Sequence, residues 1–376
     1  MEALFVRLLE SVFAVSSPDP AAMEALRRDW SRCLTSEPRG EATPVDLGPV
    51  SDKWRRGHQL TSELTVRALG AAAGRLVMFH ACGLAHEGGG VTALVGPSGA
   101  GKTTAARVLC RDSYGYVSDE VVAMDAEGGV LALPRPLAAT PSGATTRTKV
   151  QYGPDALGLK TPPPLLHLAR IVLIHREVGS PSIRSLPLVD AVLALVPHTS
   201  YLGSLDLPLQ RLAEAISRTR GVFRATYETV SELQALLVDA APDGTEDWHP
   251  AGTWMPGDVL WALMDGKVRR APYSDAISVE NETVVLIANT PFRLSGIGAS
   301  IWRQAAEGLS VDALVTRITA EFGSHPEARA LVLEAVRSLT SHGVMVQGRP
   351  RTVASLLTGD RMTEASTSAR ATTCAR

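Results

Sequence analysis

Lysine is scarce in this 376-residue chain: Lys53, Lys102, Lys149, Lys160 and Lys267 are the five lysines among 37 basic residues. Any motif that demands Lys therefore stands out. Cysteine is equally thin. Cys33, Cys82, Cys110 and Cys374 are scattered, with no C-x-x-C pair and no His/Cys cluster at zinc spacing, so neither a disulfide framework nor a structural zinc is expected. The 37 basic residues face 39 acidic ones, a formal charge of −2, which excludes the basic face of a dedicated nucleic-acid binder. No run approaches 18 apolar residues, and the first seventeen positions carry Glu2 and Glu10 without a basic leading region. A membrane span and a signal peptide are thus not expected, and the chain reads as cytoplasmic.

What is present suits two or three domains. Residues 1–75 are expected to be a helical segment packing on the core, because Leu4, Phe5, Leu8, Leu9, Val12 and Phe13 recur as a helical stripe. Residues 76–245 mix short β-branched runs with helical stretches, the texture of an α/β domain. LVMFHACGLA and VTALVG flank the turn segment HEGGG and read as two strands; YVSDEVVAMD and LARIVLIHR read as further ones. Residues 246–265, rich in Pro, Gly and Asp, are the expected linker. A compact unit over 266–348 reads as three strands, three helices and a closing strand. The Ser/Thr/Ala/Arg-rich stretch 349–376 is expected to be a disordered tail.

The strongest signal is Gly96-Pro97-Ser98-Gly99-Ala100-Gly101-Lys102-Thr103-Thr104, a full match to G-x-x-x-x-G-K-[ST]. Chance matches at this chain's composition number on the order of 0.01. An apolar strand leads in and a helical run leads out, as a phosphate-binding loop requires. Lys102 would bridge phosphates of ATP and the Thr103 hydroxyl would hold Mg²⁺. Asp119-Glu120 follows 17 positions after Lys102, on the very next strand. An acid there reaches the γ-phosphate and Mg²⁺, or accepts a proton from an attacking hydroxyl. His80, at the end of the strand before the loop strand, would tune or relay that proton if it stood beside Asp119.

His80, sixteen residues ahead of GPSGAGKTT, followed by Tyr116-Val117-Ser118-Asp119-Glu120, resembles the HPr kinase/phosphorylase-like family. The resemblance implies an α/β P-loop core, with Asp119 as general base toward a serine hydroxyl, His80 as its neighbour, and Thr103 with Glu120 near Mg²⁺. Pro134-Arg135-Pro136 resembles the Pro-Lys/Arg-Pro segment of the peptide-modifying branch, which sets Arg135 toward phosphate or substrate. The Glu-x-Arg-Gly-x-Gly signature of HPr-directed members has no counterpart here, so neither phosphorolysis nor HPr as substrate is expected. Relatives of this family assemble, so the resemblance admits a homo-oligomer.

Residues 266–348 resemble the PqqD-like family through VRRAPYSDAI, VVLI, FRLSGIGASIW and a closing GVMV. That resemblance implies a small winged-helix-like α+β domain that recognises the leader of a ribosomal precursor peptide. The leader would add as a strand beside Phe292, Arg293 and Leu294 and face Arg329, Val332 and Val336 on a helix. Trp302 reads as a core aromatic. The combined expectation is an ATP- and Mg²⁺-dependent kinase acting on a Ser or Thr of a precursor peptide, with other enzymes of the same peptide pathway as further partners. A nucleotide-switched leader-binding chaperone and a small-molecule kinase are the alternatives. Neither nucleic acid nor membrane is an expected partner.

Overall fold

The computed structural model describes residues 3–36, 40–48, 53–139, 150–239, 249–251 and 266–348. By internal contacts the chain divides into two units. One holds the residues up to 254 together with 273–299, and the other holds 255–272 and 300–376. The expected tail, 349–376, lies outside the described residues, as does most of the expected linker.

The N-terminal segment corrects the sequence expectation. Its first apolar stretch is a hairpin, β1 (Ala3–Leu8) against β2 (Ser11–Ser16), registered from Ala3–Ser16 to Leu8–Ser11. Leu9 takes a positive φ of 53° at the turn. The same apolar stretch also holds a period of two, through Leu4, Val6 and Leu8 on one strand and Phe13 and Val15 on the next. Phe5 and Val12 of the helical stripe are only half-buried. Val6, Leu8, Phe13 and Val15 all point into one core, and β-branched and aromatic residues favour that pleated solution. Helix α1 (Pro20–Asp29) follows, started by Asp19, whose carboxylate accepts the Ala21 N–H, and by Pro20 at its first position. Short strands β3 (Leu34–Thr35) and β4 (Thr43–Asp46) complete a sheet of order β3-β1-β2-β4. Helix α2 (Lys53–Ala72) packs Leu60, Leu64, Ala68 and Leu69 into the same core.

The chain then builds two sheets by switching between them. β5 (Val77–Phe79) belongs to a small sheet with β9 (Val122–Met124), β10 (Val130–Leu131) and β15 (Thr199–Ser200). β6 (Ala81–Ala85), β7 (Gly90–Val95) and β8 (Gly115–Ser118) belong to a six-stranded sheet. It is completed by β13 (His167–Arg176), β14 (Ser182–Ser185) and β16 (Val222–Tyr227), in the order β14-β16-β13-β7-β6-β8. A separate pair, β11 (Leu137–Ala139) and β12 (Val150–Tyr152), lies between β10 and β13 in sequence. β7, β13 and β16 run parallel, while β6 is antiparallel to both of its neighbours.

Both faces of the large sheet are covered, as a parallel core demands. Val91, Ala93 and Val95 of β7 enter the cluster made with α4 (Leu188–Leu195) and α5 (Pro208–Ser217). Leu94 alternates to the other face, where α3 (Lys102–Asp112) and α6 (Val230–Asp239) pack. The expected α/β texture of residues 76–245 is therefore a mixed α/β fold with helices on both sides.

A further sheet has the order β17-β19-β20-β21, from β17 (His249–Pro250), β19 (Asp275–Val279), β20 (Glu282–Ile287) and β21 (Thr290–Ser295). Pro250 sits in the edge strand, where its missing N–H does least harm; this part of the expected linker is strand. Ile277, Val279, Val284 and Leu286 belong to the same buried cluster as α4 and α5. Asp275, wholly buried, accepts the Gln210 N–H at 2.9 Å and the Gln210 side-chain amide at 2.7 Å. It thus caps α5, whose own N-cap Leu207 offers no side-chain acceptor. In the second unit, β18 (Val268–Arg270) pairs with β22 (Met345–Gln347), alongside helices α8 (Val311–Phe322) and α9 (Ala328–Ser341). Helix α7 (Gly296–Gln304) carries the chain from the first unit to the second. No helix among the described residues is long and apolar enough to cross a membrane.

Candidate functional site

The Gly-rich segment turns directly from β7 into α3. Gly101 is the residue that permits the turn. It adopts a φ of +103°, and a Cβ placed there would lie 2.8 Å from the Tyr227 hydroxyl. That hydroxyl in turn donates to the Ala100 carbonyl at 2.7 Å, so β16 braces the loop from below. The first N–H groups of α3 have no preceding carbonyl to meet, and they give the loop its positive end.

Lys102 opens α3 and is 7% exposed. Its Nζ donates to the carbonyls of Gly96 and Pro97, which draws the charge over the loop mouth. Burial lowers its pKa, against the opposing pull of Glu120, Cys82 and Asp119. Thr103, one residue on, donates its hydroxyl to Asp119 Oδ2 at 2.9 Å.

The acid pair sits where two chain segments change sheets side by side. His80 links β5 to β6, and Asp119–Glu120 stands between β8 and β9. The Ala81 N–H donates to the Glu120 carbonyl at 3.0 Å and locks the two crossings together. Asp119 is 4% exposed. Burial raises its pKa above the ordinary aspartate range, although Arg135 and the Thr103 hydroxyl pull the other way. Glu120 is more open. It accepts from Arg135 Nη2 at 2.7 Å, and His80 Nδ1 lies 3.5 Å from its other oxygen. Burial and the nearby Lys102 charge lower the His80 pKa, so the imidazole is neutral near pH 7 and that contact is not an ion pair. Arg135 also lies 3.6 Å from Asp119, and it is held between two prolines with its Nε buried without a hydrogen-bond partner.

These groups line one cleft of about 690 Å³, a volume in the range of small-molecule sites. The structure brings together His80, Ser98, Gly99, Gly101, Lys102, Thr103, Thr104, Asp119, Glu120 and Arg135, all singled out from sequence. Gly96, Pro97 and Ala100 form the loop's back wall through their carbonyls. Sequence reasoning missed the opposite wall, where α2 supplies His58, Ser62, Thr65, Val66 and Leu69. Val66 is 60% exposed there; the sequence carries no signal for this wall, because which face of α2 meets the loop is decided only by folding.

No group of three or more His, Cys, Asp or Glu among the described residues is disposed to hold a metal by itself. A hydroxyl and one or two carboxylates do suffice for Mg²⁺ when phosphates supply the remaining ligands. Thr103, Asp119 and Glu120 meet that requirement.

The residues expected to meet a peptide divide between the two units. Phe292, Arg293 and Leu294 lie on β21, which has β20 on one side and no strand on the other among the described residues. Phe292 is half-buried and Leu294 is buried. Arg293 is spent on Glu282 at 2.8 Å and on Asp190 of α4 at 2.8 Å. On α9, Arg329 pairs with Asp312, while Val332 and Val336 are core residues with almost no exposed surface. Trp302 is fully buried, with the Arg270 guanidinium 4.0 Å above its ring.

Among curated proteins, none matches the chain. The family model described as coenzyme PQQ synthesis protein D (PqqD) matches residues 282–345. PqqD domains bind precursor peptides and partner enzymes in pathways of ribosomally synthesised, post-translationally modified peptides. The mixed α/β chain therefore carries, over residues 282–345, a PqqD domain of the kind that serves as a peptide recognition element in such pathways.

Proposed function

We propose that this protein is an ATP-dependent kinase that phosphorylates a Ser or Thr hydroxyl of a ribosomal precursor peptide captured through its leader. The observation that carries the reading is the convergence in one cleft of the Gly-rich loop, Lys102, the Thr103–Asp119 hydrogen bond and the Glu120–Arg135 pair. The geometry of the loop supports a P-loop: a helix N-terminus, a lysine over its mouth and a hydroxyl at the next position.

Each residue has a role in this reading. Lys102 and the α3 N–H groups bind and orient the triphosphate and neutralise charge that builds on it. Mg²⁺, held by Thr103 and Glu120 when bound, supplies further charge neutralisation at the phosphate oxygens. Asp119 orients the acceptor hydroxyl and takes its proton. Its raised pKa brings it closer to the operating pH, which favours a general base. Neutral His80 stands against Glu120 and keeps that carboxylate on the cleft side. Arg135 joins both acids and presents a cation toward the transferred group.

The PqqD domain gives the kinase its peptide. A short acceptor segment offers little surface to a cleft, whereas a leader held on the same chain raises the acceptor's local concentration to roughly millimolar. The open edge of β21 suits an added strand.

The test is the intact mass of a candidate precursor peptide incubated with the full chain, ATP and Mg²⁺. A gain of one phosphate that disappears with Lys102→Ala supports the reading. An unchanged mass, with the peptide bound and ATP altering its affinity, favours a nucleotide-switched leader-binding chaperone. Removing the leader should raise KM for the peptide far more than it lowers kcat.

A further inference from the structure

A second cavity, of about 650 Å³, opens at the other end of the same strands. The Gly-rich loop leaves β7 after Val95, while this cavity is lined at Thr92 and Gly90, about 10 and 16 Å back along the strand at about 3.3 Å per residue. Its walls carry three guanidiniums and two imidazoles. Arg170, Arg218, Arg220, His86 and His167 line it, and no Asp or Glu does so among the described residues.

Arg170 is the central observation. It is 8% exposed, on β13, and has no carboxylate within ion-pair reach among the described residues. Its Nη2 donates to the Leu237 carbonyl at 2.9 Å and approaches Thr92 Oγ1 at 3.5 Å. Those neutral acceptors satisfy one nitrogen and leave the charge uncompensated. A buried guanidinium normally has an anionic partner, because desolvating it alone is costly. Burial lowers the Arg170 pKa, Tyr114 pulls the other way, and the like charge of Arg220 lowers it again. His86, whose Nε2 lies 3.0 Å from the same Thr92 hydroxyl, is held edge-on to the Tyr114 ring at 5.0 Å. Burial and the two arginines keep it neutral, which leaves it able to donate a hydrogen bond without adding charge.

We infer that this cavity is a binding site for a phosphorylated small molecule, distinct from the cleft at the Gly-rich loop. Three guanidiniums from two places, Arg170 on β13 and Arg218 and Arg220 in the segment just after α5, can grip a tetrahedral dianion by paired N–H groups, which a single carboxylate would not satisfy. The cavity has room for more than the phosphate itself, with Tyr114, Leu168 and Leu237 as apolar wall.

The experiment uses the full-length Lys102→Ala protein, which weakens phosphate binding at the Gly-rich loop, and follows pyrophosphate binding by calorimetry at low salt. Arg218 and Arg220 are exposed, so the double variant Arg218→Ala/Arg220→Ala in that background keeps its fold, checked by circular dichroism. A saturable pyrophosphate site that weakens tenfold or more in the double variant supports the inference. Pyrophosphate binding indifferent to the two arginines, or none at all, overturns it. Citrate bound more tightly than pyrophosphate would also overturn it, by making the site one for carboxylates.

Discussion

Thr103 Oγ1 donates to Asp119 Oδ2 at 2.9 Å, joining the start of α3 to the end of β8 across sixteen residues. The hydroxyl proposed to face Mg²⁺ and the proposed base are thus a single hydrogen-bonded pair, and in that reading their contributions to catalysis should be coupled.

Asp119→Asn and Glu120→Gln separate the two acids. Loss of the base should lower kcat by roughly 10²- to 10⁴-fold at any Mg²⁺ concentration. Glu120→Gln should instead raise the Mg²⁺ concentration needed for half-maximal rate, with a smaller loss at saturation. Phosphopeptide formation measured across a Mg²⁺ titration checks both, and an Asp119→Asn enzyme of normal rate would remove Asp119 from the mechanism.

Gly101→Ala should impair loop and fold together. The new Cβ meets the Tyr227 hydroxyl at 2.8 Å and forces a positive φ of 103° on an L residue. About 1–3 kcal/mol of destabilisation follows from strain of that kind, read by urea denaturation. Gly99→Ala has the same backbone problem at φ +88° but open space around its Cβ, so its cost should be the smaller of the two.

The pH dependence of stability follows from the buried acids. The folded protein holds the Asp119 and Asp275 protons more tightly than the unfolded chain, since burial raises both pKa values. The native state then binds more protons, and stability falls as pH rises from the ordinary aspartate range through the raised values. Asp119→Asn removes one such charge. Melting curves at pH 4–8 should show a flatter decline and a higher Tm at neutral pH, in the same variant that loses activity.

Asp275→Ala should destabilise the first unit by about 1–3 kcal/mol. It strips the acceptor from the partly buried Gln210 N–H and leaves α5 without its cap. Arg293→Ala, which breaks an exposed pair of ion bridges to Glu282 and Asp190, should cost under about 1 kcal/mol and less at high salt. Paired denaturation curves rank the two.

Residues 273–299 contribute Ile277, Val279, Val284 and Leu286 to the cluster that holds α4 and α5. Deleting everything from 266 onward, an intuitive way to test leader capture, would expose that core. Leader-truncated peptide with the intact chain is the cleaner comparison.

The loop, its lysine, the acid pair and the C-terminal recognition domain were legible in the amino-acid sequence because each depends on residues close together in the chain. Gly96 to Thr104 form a loop whose chemistry is local, and VVLI with FRLSGIGASIW forms a recognisable local pattern. The hairpin at Ala3–Ser16 was not legible, since its apolar residues fit periods of 3.6 and 2.0 alike and only packing against α2 chose between them. Nor were the α2 wall of the cleft, the capping of α5 by Asp275 and the meeting of Arg170 with Arg218 and Arg220. In these cases the partners are tens of residues apart, and each side chain alone reads as an ordinary polar residue. The close-packed core fixes which distant residues meet, and with them which charges are buried, paired or left facing a cavity.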